Sequence, residues 1–304
     1  MPPTPVVIAV VVTYHPDQTT ARLLGALARQ CAHVLVVDNG STAAELAHLR
    51  STAKKLALDA TNVNFIELAA NTGIAHAQNM GIQQAISLGA THVLLSDQDS
   101  DSAADMVAQL LRTVADPQVG AAGPYIAENK PGGDELVYVD RKWGPRRANA
   151  TELGAAEVNA AFLLASGCLI PVPVLQTVGP MNAGYFIDHV DLEWGLRARR
   201  AGYRLVVNTA ARLHHSLGDE TVQLPGRRQP VHVHSPVRCY YLARNTIHLM
   251  RSGLLSWRWT AGYALWLVKY AAFNVLLADR HLQRIKYLAR GIADGVRGRF
   301  GAAA

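Results

Sequence analysis

Cysteine is scarce in this sequence, and its spacing fits neither a disulfide framework nor a zinc knuckle. Cys31, Cys168 and Cys239 are the three cysteines among 304 residues, and no two of them form a C-x-x-C pair. A small secreted fold held by disulfides is therefore not expected, and a reducing cytoplasm fits best. Half of the residues are hydrophobic, so the chain can bury a full core without such crosslinks.

The amino terminus lacks the features of an export signal. The opening MPPTPVVIAVVVTY has no basic residue before its apolar run, which ends after about ten residues. We therefore predict a buried strand there, and nothing in the sequence directs export. The turn after this run has Thr13-Tyr14-His15-Pro16 in place of G-x-G-x-x-G, so the cradle of a Rossmann dehydrogenase is missing.

Acidic residues are scarce in the last quarter of the chain. From residue 227 onward, 13 Lys and Arg face only Asp279 and Asp294, a balance of +11. Since the whole chain carries +6, residues 1–226 carry −5. This contrast predicts one domain at residues 1–226 and a basic, helical region at residues 227–304. No nucleic-acid motif accompanies the charge. Six aromatic residues favour a membrane surface instead: Trp257, Trp259, Tyr263, Trp266, Tyr270 and Phe273.

Short apolar runs rich in β-branched residues alternate with helical patterns in the first hundred residues. Strands are predicted at residues 6–12, 33–37, 64–68 and 92–95, and helices near residues 19–30, 43–56 and 74–87. Strands that are apolar throughout are typical of a parallel sheet covered on both faces. The stretch from about residue 119 to 154 has weak periodicity and predicts an irregular loop or a strand pair, whereas residues from 235 onward predict helices.

Polar or small residues follow each of these four strands. They are Thr13–Pro16, Asp38–Ser41, Asn71–Gly73 and Asp97–Asp99. Because the carboxyl ends of parallel strands meet at the rim where open α/β sheets bind ligands, we predict that the four groups form one site. Taken singly, each group fits a turn or a helix cap equally well.

The stretch LLSDQDS contains two carboxylates, Asp97 and Asp99, one residue apart. Like charges this close disfavour each other unless a cation neutralises them. Oxygen ligands suit Mg²⁺ or Mn²⁺, whose open positions are filled by substrate phosphates. The alternative is that both acids cap a helix that begins near Ser102.

Six segments, in order, resemble inverting nucleotide-sugar glycosyltransferases of family 2 with the GT-A fold. They are VVVTYHPD, VVDNGST, NTGIAHAQNMG, SDQDS, the acids ahead of LRARRAGY, and LHHSLGD. The forms SDQDS, FIDHVDLEW and YYLARN are most similar to bacterial rhamnosyltransferases that use dTDP-rhamnose. The resemblance covers about residues 5 to 250. It implies an α/β, GT-A-type fold: a mostly parallel central sheet flanked by helices, with a Rossmann-like nucleotide-sugar-binding half and a helical carboxy-terminal region.

The resemblance also implies positions for the nucleotide sugar. It places Thr13, Tyr14 and Asp38 beside the base, with Asp38 accepting from the base N–H. It places Asn71 and Gly73 in the nucleotide pocket, where a glycine lets the backbone approach the ligand closely.

The same resemblance implies a divalent metal, Mg²⁺ or Mn²⁺. Asp97 would face the ribose or the metal, and Asp99 would bind the metal that bridges the diphosphate. The family's H-x-x-G spacing selects His215 rather than His214 as a third ligand.

The acids ahead of LRARRAGY carry the implied base. The resemblance aligns Asp191 with the group that takes the acceptor proton and Glu193 with the second acid. Here the sequence departs from the family pattern, because Val190-Asp191 replaces the usual Glu-Asp doublet, and Asp188 is therefore a rival base. From the residues alone, acids at this place also fit the first turn of a helix.

The stretch Trp259–Leu277 is apolar over nearly the length of a bilayer, but Lys269 and Asn274 interrupt it. We predict a helix that lies in the membrane interface or at a dimer contact, with a core helix as the alternative. Arg238, Arg244 and Asn245 are expected either to contact a diphosphate or lipid phosphate or to lie on a solvated helix face.

Together these expectations describe a membrane-associated glycosyltransferase on the cytoplasmic side. It would transfer rhamnose from dTDP-rhamnose to a lipid-linked glycan in the synthesis of a cell-surface polysaccharide such as lipopolysaccharide. The alternatives keep the fold with another donor, such as UDP-galactofuranose or UDP-N-acetylglucosamine, or leave a glycan- or nucleotide-binding module without turnover. A homo-oligomer is compatible with all of them.

Overall fold

A computed structural model of the protein describes residues 4–55, 62–128, 136–215, 220–222 and 231–303. In its first part, strands and helices alternate as the hydrophobic pattern predicts. The elements are β1 (Val7–Thr13), α1 (Gln18–Ala28), β2 (His33–Asp38), α2 (Ala43–Lys55), β3 (Val63–Glu67), α3 (Ile74–Ser87) and β4 (His92–Asp97). Strand β1 is buried along its whole length, as an interior parallel strand requires.

The second part has shorter strands and ends in three long helices. Its strands are β5 (Ser100–Ser102), β6 (Val119–Glu128), β7 (Tyr138–Val139), β8 (Arg146–Arg147), β9 (Glu157–Asn159), β10 (Cys168–Pro171), β11 (Arg204–His215), β12 (Glu220–Val222) and β13 (Val231–Val233). Its helices are α4 (Met106–Thr113), α5 (Ala150–Leu153), α6 (Val172–Val178), α7 (Val190–Arg200), α8 (Pro236–Arg251), α9 (Trp257–Leu276) and α10 (His281–Arg297). A 3₁₀ turn at Ala183–Tyr185 precedes α7.

Nine strands of the described residues form one sheet, in the order β3-β2-β1-β4-β10-β6-β11-β5, with β9 beside β11. The ladders β3-β2, β2-β1, β1-β4 and β6-β11 are parallel, and β10 runs antiparallel to both of its neighbours. The parallel ladders pair more residues than the antiparallel ones. The expected mostly parallel α/β sheet is therefore confirmed.

Alternate residues of β1 enter cores on opposite faces of the sheet. Ile8, Val10 and Val12 pack in a cluster with residues of α3, whereas Val7 and its alternates pack in a second cluster with residues of α1. This follows from the two-residue period of a strand. The helices on both faces keep water from the strands, and the carboxyl-terminal rim of the sheet stays accessible.

The prediction of irregular structure from residue 119 is wrong for its first ten residues, which form the central strand β6. Small residues hid this strand, because they lack the bulky β-branched side chains that signal one. They are small because neighbours lie close: a Cβ on Gly120 would lie 2.5 Å from Cβ of Tyr203. The predicted strand pair is found later, where β7 pairs with β8.

The carboxy-terminal region is helical, as predicted. Helices α8 and α10 pack around a buried cluster of Cys239, Ala243 and Leu288. Among the described helices, none has the length and hydrophobicity needed to cross a bilayer. The predicted domain boundary at residue 226 lies outside the described residues, so the division into two domains stays a prediction.

Candidate active site

A cavity of about 920 Å³ opens at the carboxyl ends of β1 and β4. Its volume is within the usual range for small-molecule sites. Most of the predicted site residues line it: Thr13, Tyr14, Asn71, Gly73, Asp97, Asp99, Asp188 and Asp191. The structure thus brings together all four polar strand ends, the second of them through Asn39, and two acids of the later cluster, Asp188 and Asp191.

Asp38 lies beneath this cavity and does not line it. Its carboxylate is fully buried and accepts hydrogen bonds from Thr13 Oγ1 at 3.0 Å, Ser41 Oγ at 2.6 Å, and the backbone N–H groups of Gly40 and Ser41. These bonds tie the turn after β2 to the end of β1. Direct recognition of a base by Asp38 stays a prediction, whereas its role in shaping the turn is observed.

Asn39 lines the cavity in the position next to Asp38, and sequence reasoning missed it. Its amide donates to Asn71 Oδ1 at 3.1 Å, and its carbonyl oxygen accepts from the backbone N–H of Thr72 at 2.9 Å. Asn39 therefore joins the loops after β2 and β3. The signal in the sequence is the asparagine of VVDNGST, one of the polar residues that follow β2.

Gly73 has a φ of 89°, a backbone conformation that favours glycine. A Cβ at this position would lie 2.7 Å from the carbonyl oxygen of Phe186, and that oxygen accepts from the N–H of Ile74 at 2.7 Å. The close approach made possible by this glycine is therefore to the segment that precedes α7. Gly73 thus allows the loop after β3 to pack against the segment that carries Asp188 and Asp191.

A short loop connects the two central acids. The backbone N–H of Ala165 donates to Asp191 Oδ2 at 3.0 Å, and the hydroxyl of the next residue, Ser166, donates to Asp97 Oδ2 at 2.5 Å. Both bonds fix one oxygen of each carboxylate. The sequence analysis gave Ser166 no role, because a contact across 69 residues has no local pattern.

The surroundings of Asp191 in the cavity shift the pKa of its carboxyl group. Burial, together with the negative charges of Asp97 and Asp188, raises the pKa of Asp191 from 3.8 to about 7. A carboxylate with such a pKa suits proton transfer at neutral pH. Burial lowers the pKa of the neighbouring His189 to about 4, so that imidazole is neutral there.

The capping alternative is wrong for Asp97 and Asp99, whereas Asp191 and Glu193 do lie in the first turn of a helix, as their alternative predicted. Helix α4 begins only at Met106, and the chain between Asp99 and that helix forms strand β5, which pairs with β11. Helix α7 follows His189, and no side chain caps it. Asp191 lies in the first turn of α7 and in addition accepts from the backbone N–H of Ala165, a contact that a role in the first turn alone does not require.

The two remaining acids of the cluster are held by arginines. Glu193 is buried, does not line the cavity, and accepts two hydrogen bonds of 2.9 Å from Arg197. Asp188 does line the cavity, and its Oδ1 accepts from Arg238 at 2.5 Å. Glu193 therefore has a structural role, and the Arg238 cation offsets the charge of Asp188.

Arg244 and Asn245 contact neither solvent nor a phosphate site, so both predicted alternatives are wrong for them. Each is fully buried in α8. Arg244 donates to the carbonyl oxygens of Gly184 and Tyr185, and Asn245 donates to those of Tyr185, Ile187 and Asp188. They hold the backbone of the segment that precedes Asp191, a long-range role that no local pattern indicates.

The described residues contain no group of three or more His, Cys, Asp or Glu side chains arranged to hold a metal ion. His215 pairs through its backbone with Ser100, but its side chain lies outside the described part, and its predicted role stays a prediction. Asp97 and Asp99 line the same cavity as Asp188 and Asp191. This surplus of carboxylates fits a divalent cation that is shared with substrate phosphates.

The aromatic residues of α9 lie mostly inward, which corrects their interpretation as membrane contacts. Trp259 is buried, and Tyr263 and Trp266 line the cavity. Trp257 is exposed at 69% of its surface. These aromatic rings therefore contribute to the site more than to the outer surface.

Comparisons with known proteins agree with this geometry. The sequence model of Glycosyl transferase family 2 matches residues 8–179. The chain is 29% identical over 301 residues to the dTDP-rhamnosyl transferase RfbF of Shigella flexneri, and the alignment covers 96% of each chain. The expected family resemblance, including its rhamnosyltransferase character, is thereby confirmed.

Solved structures share the fold. GalNAc-T7 with UDP, GalNAc and Mn²⁺ gives a TM-score of 0.63 at 13% identity over 96% of this chain and 56% of that chain, so this chain spans little more than half of that protein. S. aureus TarS 1-349 in complex with UDP-GlcNAc gives 0.60 at 15% identity, over 96% and 81%. These likenesses show a GT-A fold.

Proposed function

Because this chain belongs to glycosyl transferase family 2, we propose that it transfers rhamnose from dTDP-rhamnose to a hydroxyl of a glycan acceptor, with inversion. The resemblance to a dTDP-rhamnosyl transferase along almost the whole of both chains supports the donor. The observation that carries the activity is Asp191, a carboxylate with a pKa of about 7 in the same cavity as Asp97 and Asp99.

Asp191 acts as the general base in this proposal. Its carboxylate takes the proton of the acceptor hydroxyl while the oxygen forms a bond to the anomeric carbon from the face opposite the leaving group. The bond from that carbon to the diphosphate oxygen breaks, and its electron pair leaves with the nucleoside diphosphate. The hydrogen bond from Ala165 fixes one oxygen of Asp191 and orients the other. Asp188 is the weaker candidate because Arg238 engages its carboxylate.

Asp97 and Asp99 fit a divalent cation, and His215 is proposed as a third ligand. Mg²⁺ and Mn²⁺ sites with few protein carboxylates are completed by substrate phosphates and water, so a cluster of three protein ligands is not required. A cation bound there would stabilise the negative charge that develops on the diphosphate. Ser166 keeps the carboxylate of Asp97 in one orientation for this purpose.

The donor pocket is proposed along the rim formed by the first three strands. Thr13, Tyr14, Asn71 and Gly73 line it, and Asn39 joins its loops. Gln98, between the two acids, accepts from the backbone N–H of Tyr14 at 2.8 Å and donates to its carbonyl oxygen at 3.1 Å. This two-point contact ties the end of β1 to the metal-binding turn, so base recognition and metal binding share one rigid support.

We propose a peripheral location at the inner face of the cytoplasmic membrane, with a lipid-linked acceptor in cell-surface polysaccharide synthesis. The support is a set of exposed apolar residues on α9, α10 and the turn between them, interspersed with cations. Its apolar members are Val268, Leu276, Leu277, Leu282 and Ile285, and its cations are Lys269, Arg280 and Lys286. Such a surface combines apolar burial with attraction to anionic headgroups.

The experiment that tests the donor is calorimetric titration with dTDP-rhamnose, UDP-galactofuranose and UDP-N-acetylglucosamine, with Mg²⁺ or Mn²⁺ and then with excess chelator. We expect metal-dependent binding of dTDP-rhamnose that is lost in Asp99→Ala and kept in the matched control Asp105→Ala, which lies outside the cavity. Preference for a UDP-sugar would reassign the donor. Binding without transfer to any acceptor would indicate a binding module, and no binding would overturn the enzymatic proposal.

A further inference from the structure

Five aromatic side chains line one part of the cavity and form what we call the aromatic wall. They are Tyr138, Trp143, Phe162, Tyr263 and Trp266. All of them come from residues 138–266, whereas the proposed donor pocket is built from residues 13–73. The proposed donor, metal and base positions leave these rings without a function.

The wall depends on a close contact between helix α9 and the loop that carries Trp143. A Cβ on Gly262 would lie 2.0 Å from the carbonyl oxygen of Trp143, so only a glycine permits the observed packing. One turn earlier, Trp259 donates from Nε1 to the carbonyl oxygen of Arg141 at 2.8 Å. These two contacts fix α9 at a position where Tyr263 and Trp266 face the cavity.

Stacking contacts hold three rings of the aromatic wall in place. Trp266 stacks on Tyr270 with centroids 5.0 Å apart and an angle of 12° between the planes. Tyr138 stacks on Phe162 at the same centroid distance, with an angle of 21°. Stacked rings of this kind are held in one orientation, and a rigid aromatic face costs little conformational entropy when a ligand binds.

The wall is also connected to the base. The His189 ring, two residues before Asp191, meets Tyr263 and Trp266 edge-on, with centroids 6.0 and 6.1 Å away. Its Nε2 lies 2.9 Å from Thr246 Oγ1, which fixes the ring. A ligand on the wall therefore lies beside the carboxylate proposed to accept the acceptor proton.

We propose that the aromatic wall is the acceptor subsite and binds a pyranose ring of the glycan. A pyranose presents a face of C–H groups, which carry partial positive charge, and aromatic faces carry partial negative charge. Its hydroxyl groups lie at the ring edge, where one can reach Asp191 while the face stays on the rings. This inference rests on the proposed glycosyl transfer and adds the place and chemistry of the acceptor.

The test uses saturation-transfer NMR with three simple probes: methyl α-L-rhamnopyranoside, methyl β-D-glucopyranoside and methyl N-acetyl-β-D-glucosaminide. Each is measured in the presence of dTDP and Mg²⁺, so that the donor pocket is filled. The affinity of dTDP-rhamnose is measured by calorimetry on the same protein samples. The variants are Trp266→Leu, Trp266→Phe and the control Leu265→Ala, an exposed residue of the same helix that does not line the cavity.

We expect saturation of the ring C–H protons of at least one glycoside. Its affinity falls about five- to tenfold in Trp266→Leu, is largely kept in Trp266→Phe, and is unchanged in the control, because only the first variant removes an aromatic face. The affinity of dTDP-rhamnose stays at the wild-type value in all three variants.

Three outcomes overturn the proposal. Equal losses of glycoside and dTDP-rhamnose affinity in Trp266→Leu would assign the wall to the donor. Glycoside binding that is unchanged in that variant would place the acceptor elsewhere, and so would a lack of saturation of every glycoside while dTDP-rhamnose binds. If no nucleotide sugar binds the wild-type protein, the proposed function itself fails, and the two failures are thus separated.

Discussion

The side-chain amide of Asn245 donates a hydrogen bond of 3.0 Å to the carbonyl oxygen of Asp188, 57 residues earlier in the chain. The same amide reaches the carbonyl oxygens of Tyr185 and Ile187. Asp188 has a φ of 66°, and its neighbours Phe186 and His189 also have positive φ. Such conformations are costly for non-glycine residues and persist only where the surroundings enforce them. Helix α8 thus holds the strained segment that precedes Asp191.

Asn245→Ala should therefore impair activity from a distance. Loss of a buried donor leaves carbonyl oxygens unsatisfied, and we expect the free energy of unfolding to fall by about 1–3 kcal/mol. Displacement of the segment should lower kcat by about tenfold or more, while the Kd for dTDP-rhamnose stays near the wild-type value. Asn64→Ala, on the exposed side of β3, is the matched control. Wild-type kcat in a destabilised Asn245→Ala protein would show that the hydrogen bonds of Asn245 serve stability alone.

Activity should depend on the ionisation of Asp191. Because burial raises its pKa to about 7, the base is protonated and inactive below that pH, and kcat/KM should fall with a slope of one as pH decreases through 7. Asp191→Asn should lower kcat by roughly 10²- to 10⁴-fold and remove this dependence. Asp188→Asn should keep most of the activity. The opposite result for the two variants would make Asp188 the base.

The raised pKa of Asp191 also predicts that ionised Asp191, the form proposed to be active, destabilises the fold. A carboxyl group whose pKa is raised from 3.8 to about 7 on folding stabilises the fold when protonated, and this contribution is lost as pH rises through 7. In the presence of chelator, Asp191→Asn should therefore melt at a higher temperature than wild type at pH 8, and the difference should shrink towards pH 4. Thermal unfolding across this range measures it. A variant less stable than wild type at pH 8 would contradict the raised pKa.

The ion pair between Arg238 and Asp188 should limit the rise in the pKa of Asp191. Removal of the cation by Arg238→Met leaves the Asp188 charge uncompensated, and that charge already raises the pKa of Asp191. The acid limb of the pH profile for kcat/KM should then move to higher pH. The double variant Arg238→Met with Asp188→Asn should move it back, because both charges are gone. If the double variant matches the single one, the effect does not pass through Asp188.

Ser166→Ala should weaken metal binding without changing the fold. The hydroxyl of Ser166 donates to Asp97, and loss of such a supporting bond typically costs about 10- to 100-fold in metal affinity. Titration of Mn²⁺ in the presence of dTDP, followed by electron paramagnetic resonance, measures this directly. Ser87→Ala, which removes an exposed hydroxyl bonded within α3, is the control. Equal Mn²⁺ affinities would remove Asp97 from the metal site.

Local patterns predicted the elements whose signals are local. Strands β1, β2 and β4 are apolar and β-branched because both of their faces are covered, and helix α3 was predicted with its observed bounds, Ile74–Ser87. Strand β6 was missed because close neighbours require glycine and alanine there, and such residues carry no strand signal. A residue type that is required by a long-range contact gives no signal of the helix or strand in which it lies.

The sequence by itself determined the family, the alternation of strands and helices, and the residues at the ends of the strands. Each of these is read from short segments of the chain and from the order in which they follow one another. The tertiary structure decided which groups meet. It placed Asp38 beneath the cavity, joined Asp97 to Asp191 through Ser166 and Ala165, and directed Arg244 and Asn245 to a distant backbone. It also placed Tyr263 and Trp266 in the cavity rather than on the outer surface. Such contacts arise only when the helices pack, because burial and hydrogen-bond partners are properties of the folded chain and not of the order of its residues.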